Sequence, residues 1–505
     1  MTSRFFKIVT PVARRADPEP TRDAIEPPKR LRYAWLARLR TERGTKVREW
    51  IRPEADVATH RPVAPAARGF RTGGSLLASL GLLVLAGAQL PAQTENEDWS
   101  MHGQATVIAQ GHGSFPAAYS GPNSLRADSE EAHTATVTIF LGVRLWNAAE
   151  LYFDPEVTQG AGVSGALGVA GFPNGEATRA GSNRPEYDTA RLFLRQTIGL
   201  GGGRAEVGAD ANQLAGQLDA DRLTVTVGKL SAADFFDGND YSHDARTQLL
   251  NWSLMDNGAW DYPADTKGYT GGCVIEFKLG SRSIRWGAFL EPAEANGRSL
   301  DSHWASAHGQ AVEWEERFAP TAGPATLRIL AFSNRADMGS YAEALADTGG
   351  HPPDVTRNRS YRSKSGAGLN WEQGLGANVG FFARVGADDG RTETWAFTEI
   401  DRTISGGLSV KGAAWHRPLD TLEIAVAANG LAPDHRRYLA AGGSGFILGD
   451  GGLRYGGEDL LEFIYDWKAR RWLSLALDLQ AVDHPGFNRD RGPVAFVATR
   501  LHAEF

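Results

Sequence analysis

The 505-residue chain holds one cysteine, Cys273. That excludes an internal disulfide framework and any cysteine-built metal site. Long apolar runs are scarce too. The mean hydropathy of −0.33 excludes a stack of membrane helices. The apolar stretch SLLASLGLLVLAGAQL at 75–90 falls short of the about 20 residues a spanning helix needs. The chain carries no HExxH, no P-loop and no GxSxG, and its twelve histidines are scattered without metal-ligand spacing. An enzyme would therefore need a triad assembled by the fold alone. A net positive charge is missing from the body of the chain. Residues 1–92 carry 17 basic and 8 acidic side chains, and residues 93–505 carry 36 and 52, a net of −16. A nucleic-acid partner needs a clustered positive field, so none is expected.

Glycine (59) and tryptophan (14) are plentiful, and strand-like alternation recurs. In TVTIFLGVRLW, Val137, Ile139, Leu141, Val143 and Leu145 share one face, and Thr136, Thr138, Phe140, Gly142, Arg144 and Trp146 the other. RWLSLALDLQAV sets Leu473, Leu475, Leu477 and Leu479 against Ser474, Ala476, Asp478 and Gln480. The final segment, VAFVATRLHAEF, alternates up to Phe505. A strand closing on an aromatic is the look of an outer-membrane β-barrel, which is apolar outside and polar inside.

Sixteen strands are expected, at 101–110, 133–146, 149–157, 190–200, 222–230, 271–280, 283–290, 310–318, 324–333, 365–373, 376–386, 403–415, 420–429, 457–467, 471–481 and 494–505. Their connections alternate between long and short. An outer-membrane barrel has short periplasmic turns, long outward loops and an even strand number. Residues 201–221 break the rule: they fall where a short turn belongs. Either a periplasmic insertion sits there or the strands run on.

The run at 75–90, with Arg68 and Arg71 before it and PAQ after it, fits a secretory leader at 68–92, cut after Ala92 or Ala88. Residues 1–67 are Arg- and Pro-rich and precede that leader. A start site near Val63 or a removed extension accounts for them, and they are assigned no fold. The barrel is then residues 93–505.

At DFFDGNDYSHDARTQLLNWSLMDNGAWDYPADTKGYTGG (234–272) the chain resembles the carbohydrate-selective outer-membrane porins. The likeness continues in HGQATVIAQ (102–110), ELYFDPEV (150–157), HRPLDTLEIAVAANGL (416–431), HRRYLAAGG (435–443) and DLQAVDHPGFNRDRGPVAF (478–496). It implies a sixteen-stranded antiparallel transmembrane barrel that lets sugars diffuse across the outer membrane, with no cofactor and no catalysis.

A barrel of this size leaves an aqueous channel, so selectivity falls to an inward loop. The third long connection, 231–270, is the candidate, with ARTQLLNWSLM in it read as a short helix against the wall. Its Asp234, Asp237, Asn239, Asp240, Asp244, Asn251, Trp252, Asn257, Trp260 and Asp261 suit sugar hydroxyls and C–H faces. The bland alternative is that the Asp and Asn residues cap turns and tie the loop down. Trp252 is weighed toward packing and Trp260 toward solute.

Strand parity places Arg144, Trp146, Glu150, Asp154, Arg191 and Arg195 inside, with Arg285, Arg384, Glu276, Glu313, Glu315, Glu423, Glu462 and Asp478. Individual inward arginines are read first as wall ion pairs. The expected partners are small sugars, membrane lipid and, through the strand ending in Phe505, the outer-membrane assembly machinery. Oligomeric state is left open. The rival readings are a non-selective porin, an outer-membrane enzyme and a secreted carbohydrate-binding β-protein.

Overall fold

The computed structural model describes residues 96–505, apart from Ala180 and Thr348. The leader and the N-terminal stretch expected at 68–92 and 1–67 lie outside the described residues. Sixteen strands follow in chain order: β1 (Trp99–His112), β2 (Glu130–Trp146), β3 (Ala149–Gly160), β4 (Ser182–Val207), β5 (Gly216–Leu230), β6 (Thr270–Leu279), β7 (Arg282–Phe289), β8 (His308–Phe318), β9 (Ala325–Met338), β10 (Ser360–Gly374), β11 (Val379–Asp388), β12 (Arg402–Gly412), β13 (Arg417–Gly430), β14 (Glu458–Arg470), β15 (Leu473–Asp483) and β16 (Val494–Glu504). Each pairs antiparallel with its sequence neighbours. β1 pairs with β16 from Gln104↔Glu504 to His112↔Phe496, which closes the barrel and leaves no edge strand. The expected all-β antiparallel barrel and its strand number are what the structure shows.

Alternation sets which face is which. On β15 Leu475, Leu477 and Leu479 stay exposed at 43%, 46% and 43%, while Ser474, Ala476, Asp478 and Gln480 are buried. On β2 Ile139, Val143 and Leu145 are exposed, and Thr134, Thr136, Thr138 and Phe140 are buried. The outer surface is thus apolar and the inside polar, the reverse of a water-soluble sheet and the arrangement lipid requires. Among the described residues no helix is long and apolar enough to cross a membrane.

One end of the barrel carries short turns, at 147–148, 280–281, 319–324, 375–378, 413–416 and 471–472; the other carries the long connections. The stretch 201–221 is resolved in favour of strand extension. β4 continues to Val207 and β5 begins at Gly216, so only 208–215 is turn. The expected strand at 403–415 stops at Gly412, where a 3-10 turn, Ala413–Trp415, takes over. The helix expected in ARTQLLNWSLM shrinks to one turn, Trp252–Met255, with the Asn251 side chain accepting from Ser253 N.

Among the long connections the third and the second pack inside the barrel, and 389–401 is buried against the third. The third, 231–269, buries Phe236, Leu249, Leu250, Leu254 and Trp260. The second, 161–181, buries Val163, Val169, Ala170 and Phe172, and Phe172 lies against Trp252 with ring centroids 5.4 Å apart. The sequence had singled out only the third.

Candidate functional site

The third loop is fastened to one side of the wall. Inward side chains on β8, β10, β11, β14 and β16 reach its backbone. Glu462 accepts from Leu250 N and Asn251 N, Glu313 from Asp237 N, and Glu372 from Asp240 N. Arg384 donates to Leu254 O (3.1 Å), Asp237 O (3.1 Å) and Ser242 O (2.6 Å), and its Nε lies 3.0 Å from the Asp237 carboxylate. Arg500 donates to Ala245 O and Gln248 O. Backbone donors and acceptors of an irregular segment need partners once buried, and the wall supplies them.

The other side stays open. A cavity of about 1460 Å³ runs between the loop and the inward faces of β2 to β9. Ten basic and ten acidic side chains line it, so its formal charges balance before histidine is counted. Most are paired. Arg144 lies 3.3 Å from Glu150, and Arg191 grips Asp234 with two 2.6 Å bonds. Arg246 bridges Glu156 (3.1 Å) and Glu176 (2.8 Å). On β7 Arg285 holds Glu276, Glu313 (2.8 Å) and Glu315 (3.0 Å), and on β9 Arg328 links Glu315 (3.1 Å) to Glu372 (3.2 Å). On the loop, burial works against the charge of His243, but the Asp256 carboxylate 3.0 Å away outweighs it and lifts the imidazole to about 9. His243 is therefore a cation at neutral pH. Among the described residues no group of three or more His, Cys, Asp and Glu is arranged to hold a metal ion.

Of the residues singled out from the sequence, Arg144, Glu150, Arg191, Arg195 and Asp234 meet at this cavity. Asp154 lies behind it, fully buried, 3.6 Å from Arg191. Asp237, Asn239, Asn251, Asn257 and Asp261 are buried and bonded to protein: Asn239 to Asn370, Asn251 to Gly171 O and Gln480, Asn257 N to Asp237, and Asp261 to Trp395 N and Ala396 N. They tie the loop down. Asp240 is exposed, and its N–H is the anchor to Glu372.

Two aromatic expectations are corrected. Trp260 is fully buried, edge-on to Phe236 at 6.2 Å and tilted on Tyr262 at 5.3 Å, so it packs rather than meeting solute. Its polar sequence neighbours turn away into anchors, which spacing alone does not reveal. Trp146 is 56% exposed at the short-turn rim, and its Nε1 donates to Gln196. A register shift between Arg144 and Trp146 breaks the parity that had placed it inside. Trp252 is buried against Phe172 and Phe397, with Nε1 donating to Asn174 O.

The sequence reading passed over Arg222, Arg246, Arg317, Lys267 and Tyr269, all on the cavity wall. Parity finds Arg222 and Arg317; the others sit on irregular backbone, where no period exists.

A family model described as carbohydrate-selective porin, OprB family, matches residues 139–505. The chain belongs to that family. Comparison with curated protein sequences finds no match. Among solved structures the barrel is similar to the high-pH structure of Pseudomonas putida OprB, with a TM-score of 0.61 at 15% identity over 81% of this chain and 94% of that one. The low-pH structure of the same protein gives 0.44 at 12% identity, over 86% and 98%. The outer-membrane channel DcaP of Acinetobacter baumannii gives 0.44 at 10% identity, over 83% and 100%. As a member of the OprB family with this fold, the protein is an outer-membrane β-barrel porin, and family and fold are those of a channel rather than an enzyme. The short-turn end is then periplasmic and the long-loop end extracellular.

Proposed function

We propose that the porin passes monosaccharides and small oligosaccharides passively through the cavity between loop 231–269 and strands β2 to β9. The observation that carries this reading is the balance of ten basic against ten acidic side chains on the cavity wall. A strongly one-signed wall would recruit ions of the opposite sign. A mosaic of salt-bridged pairs instead offers donors and acceptors side by side, which matches a neutral solute dense in hydroxyls. Phe235 adds aromatic surface on the same wall for C–H faces. Contacts of this kind are weak and numerous, so solute enters without being trapped.

Planar-bilayer conductance of the refolded channel, titrated with a panel of sugars, tests it. Sugars are expected to block ion current in a saturable way, and the reversal potential in a salt gradient is expected to stay small. Strong preference for one ion, with sugars and amino acids of equal size permeating alike in liposome swelling, would favour the non-selective porin. No turnover of glycan or phospholipid is expected in detergent.

Residues 93–505 are read as the mature channel, after a leader at 68–92. N-terminal sequencing of outer-membrane material checks this reading. Engagement of the assembly machinery by the strand ending at Phe505 is read the same way, and truncating Phe505 is expected to lower the folded yield in cells.

A further inference from the structure

The periplasmic connections are short except between β4 and β5. β3 pairs with β4 only as far as Gln196, and β6 pairs with β5 only as far as Arg222. β4 and β5 stay paired with each other to Val207↔Gly216. The hairpin therefore leaves the barrel without strand neighbours. An isolated two-stranded ribbon is marginal in water and needs something to pack on.

What it packs on is the mouth of its own channel. Register breaks flank Gly201, and Gly201, Gly202 and Gly203 have φ of +97°, +73° and +91°, a left-handed run that only glycine adopts without strain. A Cβ on Gly202 would stand 2.5 Å from the Asp221 carboxylate. Beyond this bend the tip returns to the lumen wall. Leu214 is buried with Tyr152 and Phe193, and its N–H donates to the Tyr152 hydroxyl at 3.1 Å. Asn212 Nδ2 donates to Asp154 at 2.9 Å, and Arg195 donates to Asn212 O at 2.9 Å. The first described residues latch the tip from below: Glu97 N donates to Ala215 O at 3.0 Å, and Ala215 N to the Glu97 carboxylate at 2.8 Å.

The same strip of wall holds the third loop. Asp154 receives Asn212 from the hairpin and lies 3.6 Å from Arg191, which grips Asp234 at the root of the loop. The cavity has Asp234 and Tyr269 of the loop on one side and Asp210, Ala211 and Gln213 of the hairpin on the other. We propose that the β4–β5 hairpin is a second filter, on the periplasmic side and in series with the third-loop constriction, and that the Asn212 contacts with Asp154 and Arg195 set its bore. Solute then has two size limits to satisfy, and the cavity is the chamber between them.

The test reads potassium chloride current and polyethylene glycol exclusion, so its outcome is independent of whether sugars are the cargo. Replacing residues 208–215 by a two-residue turn is expected to raise single-channel conductance about twofold or more and to admit larger polymer, since the narrowest level limits flow. Unchanged conductance and an unchanged polymer limit, in a barrel that still shows heat-modifiable gel mobility, would overturn the proposal. A second variant covers the case in which excision prevents folding. Ala211→Cys in a Cys273→Ser background leaves the hairpin contacts intact. Attaching a bulky methanethiosulfonate to it is expected to cut the current several-fold. Full labelling with the current unchanged would show that the tip lies off the path and would refute the second filter.

Discussion

The two halves of the barrel wall follow one alternation rule and do different work. On β10 to β16 the inward polar residues are consumed by the loops: Glu462, Arg384 and Arg500 each meet buried loop backbone and have almost no exposure. On β2 to β9 the inward residues mostly pair with one another, as Arg285 does with Glu276, Glu313 and Glu315, and many keep a face on the cavity. Inward parity thus predicts polarity but not solvent access. Whether a charge on the wall becomes an anchor or a channel residue depends on which side an irregular loop leans toward.

The largest expected effect is on the anchored side. Arg384→Ala strips three loop carbonyls and the Asp237 carboxylate of their partner, and breaking a buried pair by removing one member costs about 3–5 kcal/mol. The expected outcome is a lower thermal transition in detergent and a noisy open channel as the loop detaches. On the open side Arg285→Gln should also lower stability, because Glu313 and Glu315 have almost no exposure, but by less than Arg384→Ala, since Arg328 and Arg317 still hold Glu315 and Asp237 N still donates to Glu313. It leaves the cavity-lining carboxylates Glu276 and Glu315 without that cation, so the reversal potential in a salt gradient should move toward cation preference.

Smaller again is the effect of pH. His243, raised to about 9 by Asp256, contributes stability that is complete below its ordinary value near 6.5 and is lost as pH rises through about 9. Across that upper range the cavity loses one positive charge, and cation preference should increase; His243→Gln should remove the step. Smallest is Trp146→Ala, at the rim, which should leave sugar block and stability within about 0.5 kcal/mol of the parent.

The barrel was legible because period two is a strong signal when one face meets lipid: Leu475, Leu477 and Leu479 declare their face without help. What escaped lies where periodicity is absent or interrupted. The bulge after Arg144 flipped Trp146, and the glycines at 201–203 hid a strand pair that runs on past the rim. The segment 161–181, rich in Gly and Ala, carries little apolar pattern because small residues suit close backbone packing inside the barrel. The third loop was found by its length and composition. Composition could not tell buried Asp237, Asn251 and Asp261 from Asp234 at the cavity, since anchoring a loop and binding a hydroxyl call on the same chemistry.

Water and solute use one side of the lumen. Cysteine accessibility at two inward positions, in a Cys273→Ser background, tests it most directly. Thr224 on β5 lines the cavity, and Ala476 on β15 is buried facing inward. Thr224→Cys should react rapidly with a charged methanethiosulfonate and lose current, and Ala476→Cys should stay unreacted with its current intact. Equal reaction and equal block at both positions would contradict the account.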